Sequence, residues 1–287
     1  MRIDLHSHST CSDGHLSPAE LVARAVEKGV DVLALTDHDT IDGIALAQAA
    51  IDADALPLHL LSGVEISCTW DAIEVHVVGL QVDTQSPALL ALLERQSQAR
   101  TARGVELGHR LEKNKLPGCY EGAVALANGG MLTRSHFAHY LVAQKHCKTM
   151  QNAFDRYLSR GARAYVPHHW ASIEEVVTAI HAAGGVAVLA HPGRYKLSTK
   201  WLKRLLVLFK EAGGDAIEVS LCQQSPHERS TLGQYCRDYG FMASVGSDFH
   251  TPLPWVELGK NLWLPKDVTP VWHVFSAFPD VPQGEEL

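Results

Sequence analysis

Near the start of the chain, two histidines stand two residues apart, in Arg2-Ile-Asp-Leu-His6-Ser-His8. Residues 2–5 read as a short buried strand. Positions i and i+2 of an extended segment share a face, so both imidazoles point to one side. Neutral imidazole is a ligand for Zn, Mn and Fe, and two on one face make half a metal site. Asp13, just before the turn-forming Gly14, can fold a carboxylate back toward them. Taken alone, the pair could equally be two histidines on a surface edge strand. The rest of the chain decides between the two.

The same residue types recur with the later apolar runs. Val30–Thr36 leads into Asp37-His38-Asp39, Leu58–Ile66 carries Glu65 near its end, and Glu74–Leu80 carries His76. Val186–Ala190 ends at His191, and Phe241–Val245 leads into Asp248 and His250. Ala216–Ser220 reads as a further strand. Helix-start patterns lie between these runs: Ser17-Pro18-Ala-Glu20 and Ser172-Ile-Glu-Glu175 are capping boxes, and Ser225-Pro226-His227-Glu228 repeats the signal. Alternating strand and helix is the signature of βαβ units and a parallel sheet. In parallel α/β barrels, functional groups gather at the C-terminal ends of the strands. Six of seven strand-like segments carry such a residue, and packing does not explain this, because buried imidazoles and carboxylates need partners.

With Asp13 the set is six histidines and three carboxylates. That is too many for one ion that must keep an open position, so two or three divalent ions are expected. Their positive charge exceeds that of the carboxylates, which suits a dianionic phosphate better than a neutral amide.

Between residues 86 and 163 the rhythm changes to helix, with patterns over Leu89–Glu112, about Thr133–His146 and Met150–Ser159. A segment of this size is expected to pack on a parent domain rather than fold alone. The chain then divides into a first barrel part (1–85), a helical insertion capping the active site (86–163), and a second barrel part with a tail (164–287). The tail from Pro252 is expected to wrap back over the body. Thr133-Arg134-Ser135-His136 opens an insertion helix, where free N–H groups and a guanidinium favour an anion. Arg194, expected on a rim loop, and His227, expected at a helix start on the same rim, join Arg134, Ser135 and His136 as candidate substrate-binding residues.

The 287 residues carry a net charge of −7, which argues against a general nucleic-acid surface but not against a local basic pocket. The six cysteines form no Cys-x-x-Cys pair, and no apolar run is long enough for a membrane span. A reduced, cytoplasmic protein is the expectation.

Six motifs together resemble the PHP (polymerase and histidinol phosphatase) family. They are His6-x-His8 with Ser-Asp13-Gly14, Thr36-Asp-His38-Asp, Gly63-x-Glu65, His76-x-x-Gly79, Ala190-His191-Pro192 and Gly246-Ser-Asp248-x-His250. The resemblance implies an α/β fold, a distorted (β/α)7 barrel carrying the helical insertion. It places metal ligands at His6, His8, Asp13, His38, Glu65, His76, His191, Asp248 and His250, with Glu65 bridging two ions. Asp13, His38, Glu65, His191 and Asp248 are the expected catalytic set. The implied cofactors are two or three divalent transition-metal ions, Mn first, Zn or Fe as alternatives.

The whole chain is similar to the stand-alone bacterial subgroup of 3′,5′-nucleoside bisphosphate phosphatases and a related 5′→3′ RNA exonuclease. The expected reaction is therefore phosphomonoester hydrolysis by a metal-bridging hydroxide. A nucleoside 3′,5′-bisphosphate is the expected substrate, losing its 3′-phosphate. An exonuclease on short RNA 5′ ends, a histidinol-phosphatase-like enzyme and a non-catalytic metal-binding module are the alternatives. No membrane or protein partner is implied.

Overall fold

The computed structural model describes residues 1–275. Seven strands lie in chain order in one sheet: β1 (Ile3–Asp4), β2 (Val32–Leu35), β3 (His59–Trp70), β4 (Ile73–Leu80), β5 (Val186–Leu189), β6 (Ala216–Ser220) and β7 (Met242–Val245). The two edges meet. The Leu5 N–H donates to the Val245 carbonyl at 3.1 Å, and the Asp248 and His8 N–H groups donate to the His6 and Phe249 carbonyls at 2.9 Å. This is a nearly closed, distorted (β/α)7 barrel. Helices α1 (Pro18–Glu27), α2 (Asp42–Asp54), α7 (Ile173–Ala182), α8 (Thr199–Glu211) and α9 (Pro226–Tyr239) belong to its βα units. The capping boxes at Ser17, Ser172 and Ser225 form as the sequence predicts.

One strand departs from the expected parallel sheet. β4 pairs antiparallel with both β3 and β5. Its connection to β3 is only Asp71-Ala72, both at positive φ (45° and 60°), as a type I′ hairpin turn requires. So short a link leaves no room for a crossover helix. The hairpin extends β3 to Trp70, so Glu65 lies mid-strand rather than near a strand end. Because β4 runs backwards, its first half, with His76, faces the mouth where the parallel strands end.

The pleat separates floor from mouth. Leu61 on β3, Val78 and Leu80 on β4 and Ala216 on β6 join one apolar cluster with Val32, Ala34 and Val188. Val271, Trp272 and Phe275 of the tail pack into the same cluster; the rest of the expected tail, residues 276–287, lies outside the described residues. Glu65, His76 and Glu218 have the same parity on their strands and therefore line the same inner face. Residues of opposite parity, among them Val64, Val77 and Ile217, pack with Val176, Phe209 and Leu232 of the outer helices.

Helix α3 (Pro87–Lys113) joins two cores. Leu89, Leu92 and Leu93 pack with the outer barrel cluster, whereas Leu107 and Leu111 share a separate core with Cys119, Phe137, Leu141 and Tyr157. That second core holds α4 (Cys119–Ala127), α5 (Arg134–Ala143), α6 (Met150–Ala153) and a π-helical turn over Phe154–Leu158. The sequence reading misses α4, a nine-residue helix with Gly122 as its fourth residue. The glycine is there for closeness: a Cβ would lie 2.0 Å from the Tyr140 ring of α5. Among the described residues no helix is long and apolar enough to cross a membrane.

Candidate metal centre and active site

The nine side chains converge at the barrel mouth, around Glu65. Its Oε2 lies 3.3 Å from Nε2 of both His6 and His8 and 2.9 Å from His38 Nδ1. Its Oε1 lies 2.9 Å from His76 Nδ1 and 2.9 Å from His191 Nε2. On one flank, Asp248 Oδ1 is 3.3 Å from His8 Nε2 and 3.6 Å from His6 Nε2. On the other, Asp13 Oδ1 is 3.3 Å from His250 Nε2 and 3.7 Å from His38 Nε2. Three groups have ligand atoms close enough to share an ion: His8, Asp13, His38 and His250; His6, His8 and Asp248; and His38, Glu65 and His76. His191 adjoins them through Glu65.

The chemistry of this donor set fits divalent ions. The His6 and His8 Nε2 atoms stand 3.1 Å apart, both buried. Seven buried side-chain polar atoms lack a hydrogen-bond partner among the described residues, and five of them belong to this cluster: His8 Nδ1, Asp13 Oδ1, His38 Nδ1, Glu65 Oε2 and His191 Nδ1. Buried polar atoms are nearly always satisfied, so this concentration marks a place built for something other than protein hydrogen bonds. Oxygen and imidazole donors without thiolates suit Mn, Fe or Zn.

The charges in the cluster are poised for cations. Burial alone would raise the carboxyls, but His38, His76 and His6 outweigh it and hold Glu65 well below the usual range. His250 and His38 do the same for Asp13, and His6 and Arg194 for Asp248. Burial, helped by the neighbouring His250, pushes His8 down to about 3, so it is a neutral donor at any ordinary pH. His76 and His250 go the other way. Burial works against their charge, yet Glu65 raises His76 to about 10 and Asp13 raises His250 to about 9.

The rim is strained where it supplies site residues. Asp39, His191 and Asp248 are non-glycine residues with φ of 51°, 33° and 51°. Left-handed conformations in non-glycine residues cluster at functional sites and need support from their surroundings. Asp37 provides some of it, accepting from Ser9 N at 2.7 Å and from the Ser9 and Ser12 hydroxyls at 2.6 Å. Asp39 is pinned by Arg100 of α3, whose Nε donates at 2.6 Å, and by the Ser67 N–H at 3.0 Å.

The insertion reaches the site through the start of α5. Thr133 caps the helix by accepting from Ser135 N at 3.2 Å, and its hydroxyl donates to Asp13 Oδ2 at 3.0 Å. His136 is buried and closes the reciprocal cap by accepting from Thr133 N at 3.1 Å. Arg134 Nη2 donates to Glu74 Oε2 at 2.6 Å, and Glu74 Oε1 accepts from Trp170 Nε1 at 3.1 Å. The Arg100 and Arg103 guanidiniums lie 5.0 and 5.5 Å from the Trp170 ring, so Arg100, Arg103 and Arg134 form a basic wall beside the cluster. Arg194 pairs with Asp248 at the opposite rim. Ser135 is half-buried beside Arg134, and His227 is exposed in the first turn of α9.

Several site residues escape a motif-based reading. Arg100, Arg103 and Trp170 carry no local pattern. Glu74 reads as the polar start of a strand. Glu218 does leave a trace: it is the one charge inside the apolar run Ala216-Ile-Glu-Val-Ser220, and its carboxylate reaches His6 Nδ1 at 2.6 Å.

The sequence profile of the PHP domain matches residues 4–220. The chain belongs to the PHP-domain family. Relatives cover this PHP chain almost end to end. The 5′-3′ exoribonuclease Rnm of Salmonella typhimurium is 52% identical over 95% of this chain and 93% of its own. The 3′,5′-nucleoside bisphosphate phosphatase of Chromobacterium violaceum is 40% identical over 96% of both. A solved structure of an amidohydrolase from Chromobacterium violaceum, with bound sulfate and no metal, superposes with a TM-score of 0.88 at 40% identity, covering 95% of each chain. A metal-dependent phosphoesterase from Bifidobacterium adolescentis superposes with a TM-score of 0.77 at 28% identity, covering 94% of this chain and 92% of its own. The protein is a metal-dependent phosphoesterase of the PHP type.

Proposed function

We propose that this PHP enzyme is a 5′→3′ exoribonuclease. It hydrolyses the P–O3′ bond of a 5′-phosphorylated terminal nucleotide, and nucleoside 3′,5′-bisphosphates are the smallest molecules presenting the same bond. In either case water adds a hydroxyl to phosphorus and a proton to the departing 3′-oxygen. From RNA a mononucleotide leaves and the shortened chain keeps the phosphoryl group; from a bisphosphate inorganic phosphate leaves. One bond cleavage thus covers both activities that the relatives are named for.

The carrying observation is that α5 starts directly on the cluster, with Thr133 bonded to Asp13 and Arg134 next in the chain. That puts a guanidinium and a helix N-terminus beside the ligand set, where a second anion is stabilised. Divalent ions held by the nine side chains, Mn first among the candidates, would acidify water and neutralise the phosphoryl oxygens. Thr133 orients Asp13, Arg194 offers charge at the opposite rim, and Arg134 with Ser135 receives the 5′-phosphate. Remote binding of that phosphate contributes to catalysis only where it is stronger in the transition state. His227, exposed at the start of α9, is the candidate for a proton to the leaving oxygen.

Sequence alone favours the bisphosphate as main substrate. Two features weigh toward RNA. Relatives at 48–52% identity that align over at least nine-tenths of their own length are exoribonucleases. In addition, Arg103, Arg110, His168, His169 and Trp170, with Glu106 paired to Arg110, line a groove of about 500 Å³ along α3, where the Trp170 ring offers a face for a base to stack on.

The deciding experiment compares 5′-phosphorylated and 5′-hydroxyl forms of one oligoribonucleotide, with adenosine 3′,5′-bisphosphate and adenosine 3′-monophosphate alongside. The expected result is successive release of mononucleotides from the 5′ end and at least about a tenfold advantage for each 5′-phosphorylated member, the scale of a charge-assisted contact. Inert RNA with rapid hydrolysis of the bisphosphate would return the assignment to a phosphatase. Equal rates with and without the 5′-phosphate would remove the second anion site.

A further inference from the structure

The geometry points to Glu218 as a positioning residue for the metal centre, holding His6 and His191 in the arrangement that aims them at the ions. It touches no reacting group and acts through those two histidines. This inference rests on the metal-dependent reading of the site but not on the choice of substrate.

Glu218 is fully enclosed, on the inner face of β6, at 1% exposure. Its Oε1 lies 2.6 Å from His6 Nδ1, and its Oε2 accepts from the His191 backbone N–H at 2.5 Å. One carboxylate therefore ties together residues that follow two different strands, β1 and β5. A carboxylate is acceptor-only when ionised, so the proton in the first contact sits on Nδ1 of His6. That fixes the tautomer and turns the Nε2 lone pair inward, toward His8, Glu65 and Asp248. Outer carboxylates commonly orient metal-binding imidazoles and raise their basicity in this way.

The second contact acts on the backbone. His191 has a left-handed φ of 33°, unfavourable for a residue with a Cβ. The hydrogen bond from its N–H to Glu218 holds that conformation, which is what allows Nε2 to lie 2.9 Å from Glu65 Oε1. Space for the contact is reserved by Gly246, where a Cβ would stand 2.3 Å from the His6 Cβ and 2.8 Å from Glu218 Oε1. With Glu218 counted, all seven strands serve the centre.

The test uses full-length Glu218→Gln and Glu218→Asp, read by ion binding. Gln keeps the volume but replaces one acceptor oxygen by an NH2 group, so it cannot accept at both His6 Nδ1–H and His191 N–H. Asp keeps the charge but is one methylene short. Metal-free protein is first melted, then titrated with Mn(II) while free ion is followed by electron paramagnetic resonance. The inference expects folded variants in which at least one ion binds about ten- to a hundredfold more weakly than in wild type. Asp should recover part of the loss if it reaches either histidine. Unchanged Mn(II) affinity in folded Glu218→Gln overturns the inference. So does metal-free Glu218→Gln that fails to fold, which would assign the carboxylate to barrel stability. The readout is ion affinity, so an error in the substrate assignment leaves this result unaffected.

Discussion

The Thr133 hydroxyl donates to Asp13 Oδ2 at 3.0 Å, joining the insertion directly to a candidate metal ligand. The same oxygen caps α5, accepting from Ser135 N at 3.2 Å. Helix start and candidate ligand are thereby positioned by one atom. Thr133→Val removes both functions while keeping the shape. The lost cap should lower stability by about 1 kcal/mol, visible as a small fall in melting temperature. The freed Asp13 should lower kcat/KM by about tenfold, more than the stability change explains. A variant with the expected melting shift but wild-type kcat/KM would detach the insertion from catalysis.

Arg134 and Glu74 form a partly buried pair at the edge of the cluster, and Arg134 holds Glu74 well below its usual range despite burial. Arg134→Ala should weaken the preference for 5′-phosphorylated over 5′-hydroxyl RNA by about an order of magnitude, the scale of one charge-assisted contact. Steady-state kinetics on the matched oligomers measures it. A preserved preference would move the phosphate clamp elsewhere, with Arg103 the next candidate.

Metal loading should release protons. His76 and His250 titrate at about 10 and about 9 before ions bind, so both are charged at pH 7, and ligation requires them neutral. Adding Mn(II) to metal-free protein in weak buffer with an indicator dye should show acidification that shrinks as the starting pH approaches 10. Both folded values lie above the ordinary 6.5, so their contribution to stability is fully present below that pH and is lost as pH rises through 9 to 10. Metal-free protein should therefore lose stability over that window. Loading without proton release would show that these two histidines are not ligands.

Arg100 carries a buried ionic link between insertion and barrel, with its guanidinium paired to buried Asp39 and lying 5.0 Å from the Trp170 ring. Arg100→Ala leaves the Asp39 carboxylate without its counter-ion in a dry environment, which typically costs about 3–5 kcal/mol. Urea unfolding of the metal-free protein measures the loss. A change below about 1 kcal/mol would mean that water reaches Asp39 and replaces the pair.

The legible part of the site was the part written in local pattern. His6 and His8 share a face by parity, and His38, His191, Asp248 and His250 follow buried strands, so strand ends alone locate them. Glu65 and His76 were found as residues but not as geometry. The two-residue turn at Asp71-Ala72 reverses β4, and neither residue announces a type I′ turn as Asn-Gly would. Arg100, Arg103, Glu74 and Trp170 were invisible because their roles depend on how α3 and the segment before α7 cross the mouth. That docking is set by long-range packing. Helix α4 was missed for a related reason: Gly122 weakens the helical signal in order to admit Tyr140.

Glu65, between five imidazoles, is placed to organise an ion centre on which hydrolysis would depend. Glu65→Gln keeps the volume and removes the charge. The decisive measurement is phosphoester hydrolysis by wild type and Glu65→Gln against bound Mn(II), each starting metal-free and shown to be folded. The wild-type rate should rise as the second ion equivalent binds, while Glu65→Gln should bind less metal and fall by at least about a hundredfold, the effect of losing a principal transition-state charge partner. A folded Glu65→Gln enzyme with full activity, or a wild type equally active without metal, would contradict that role for Glu65.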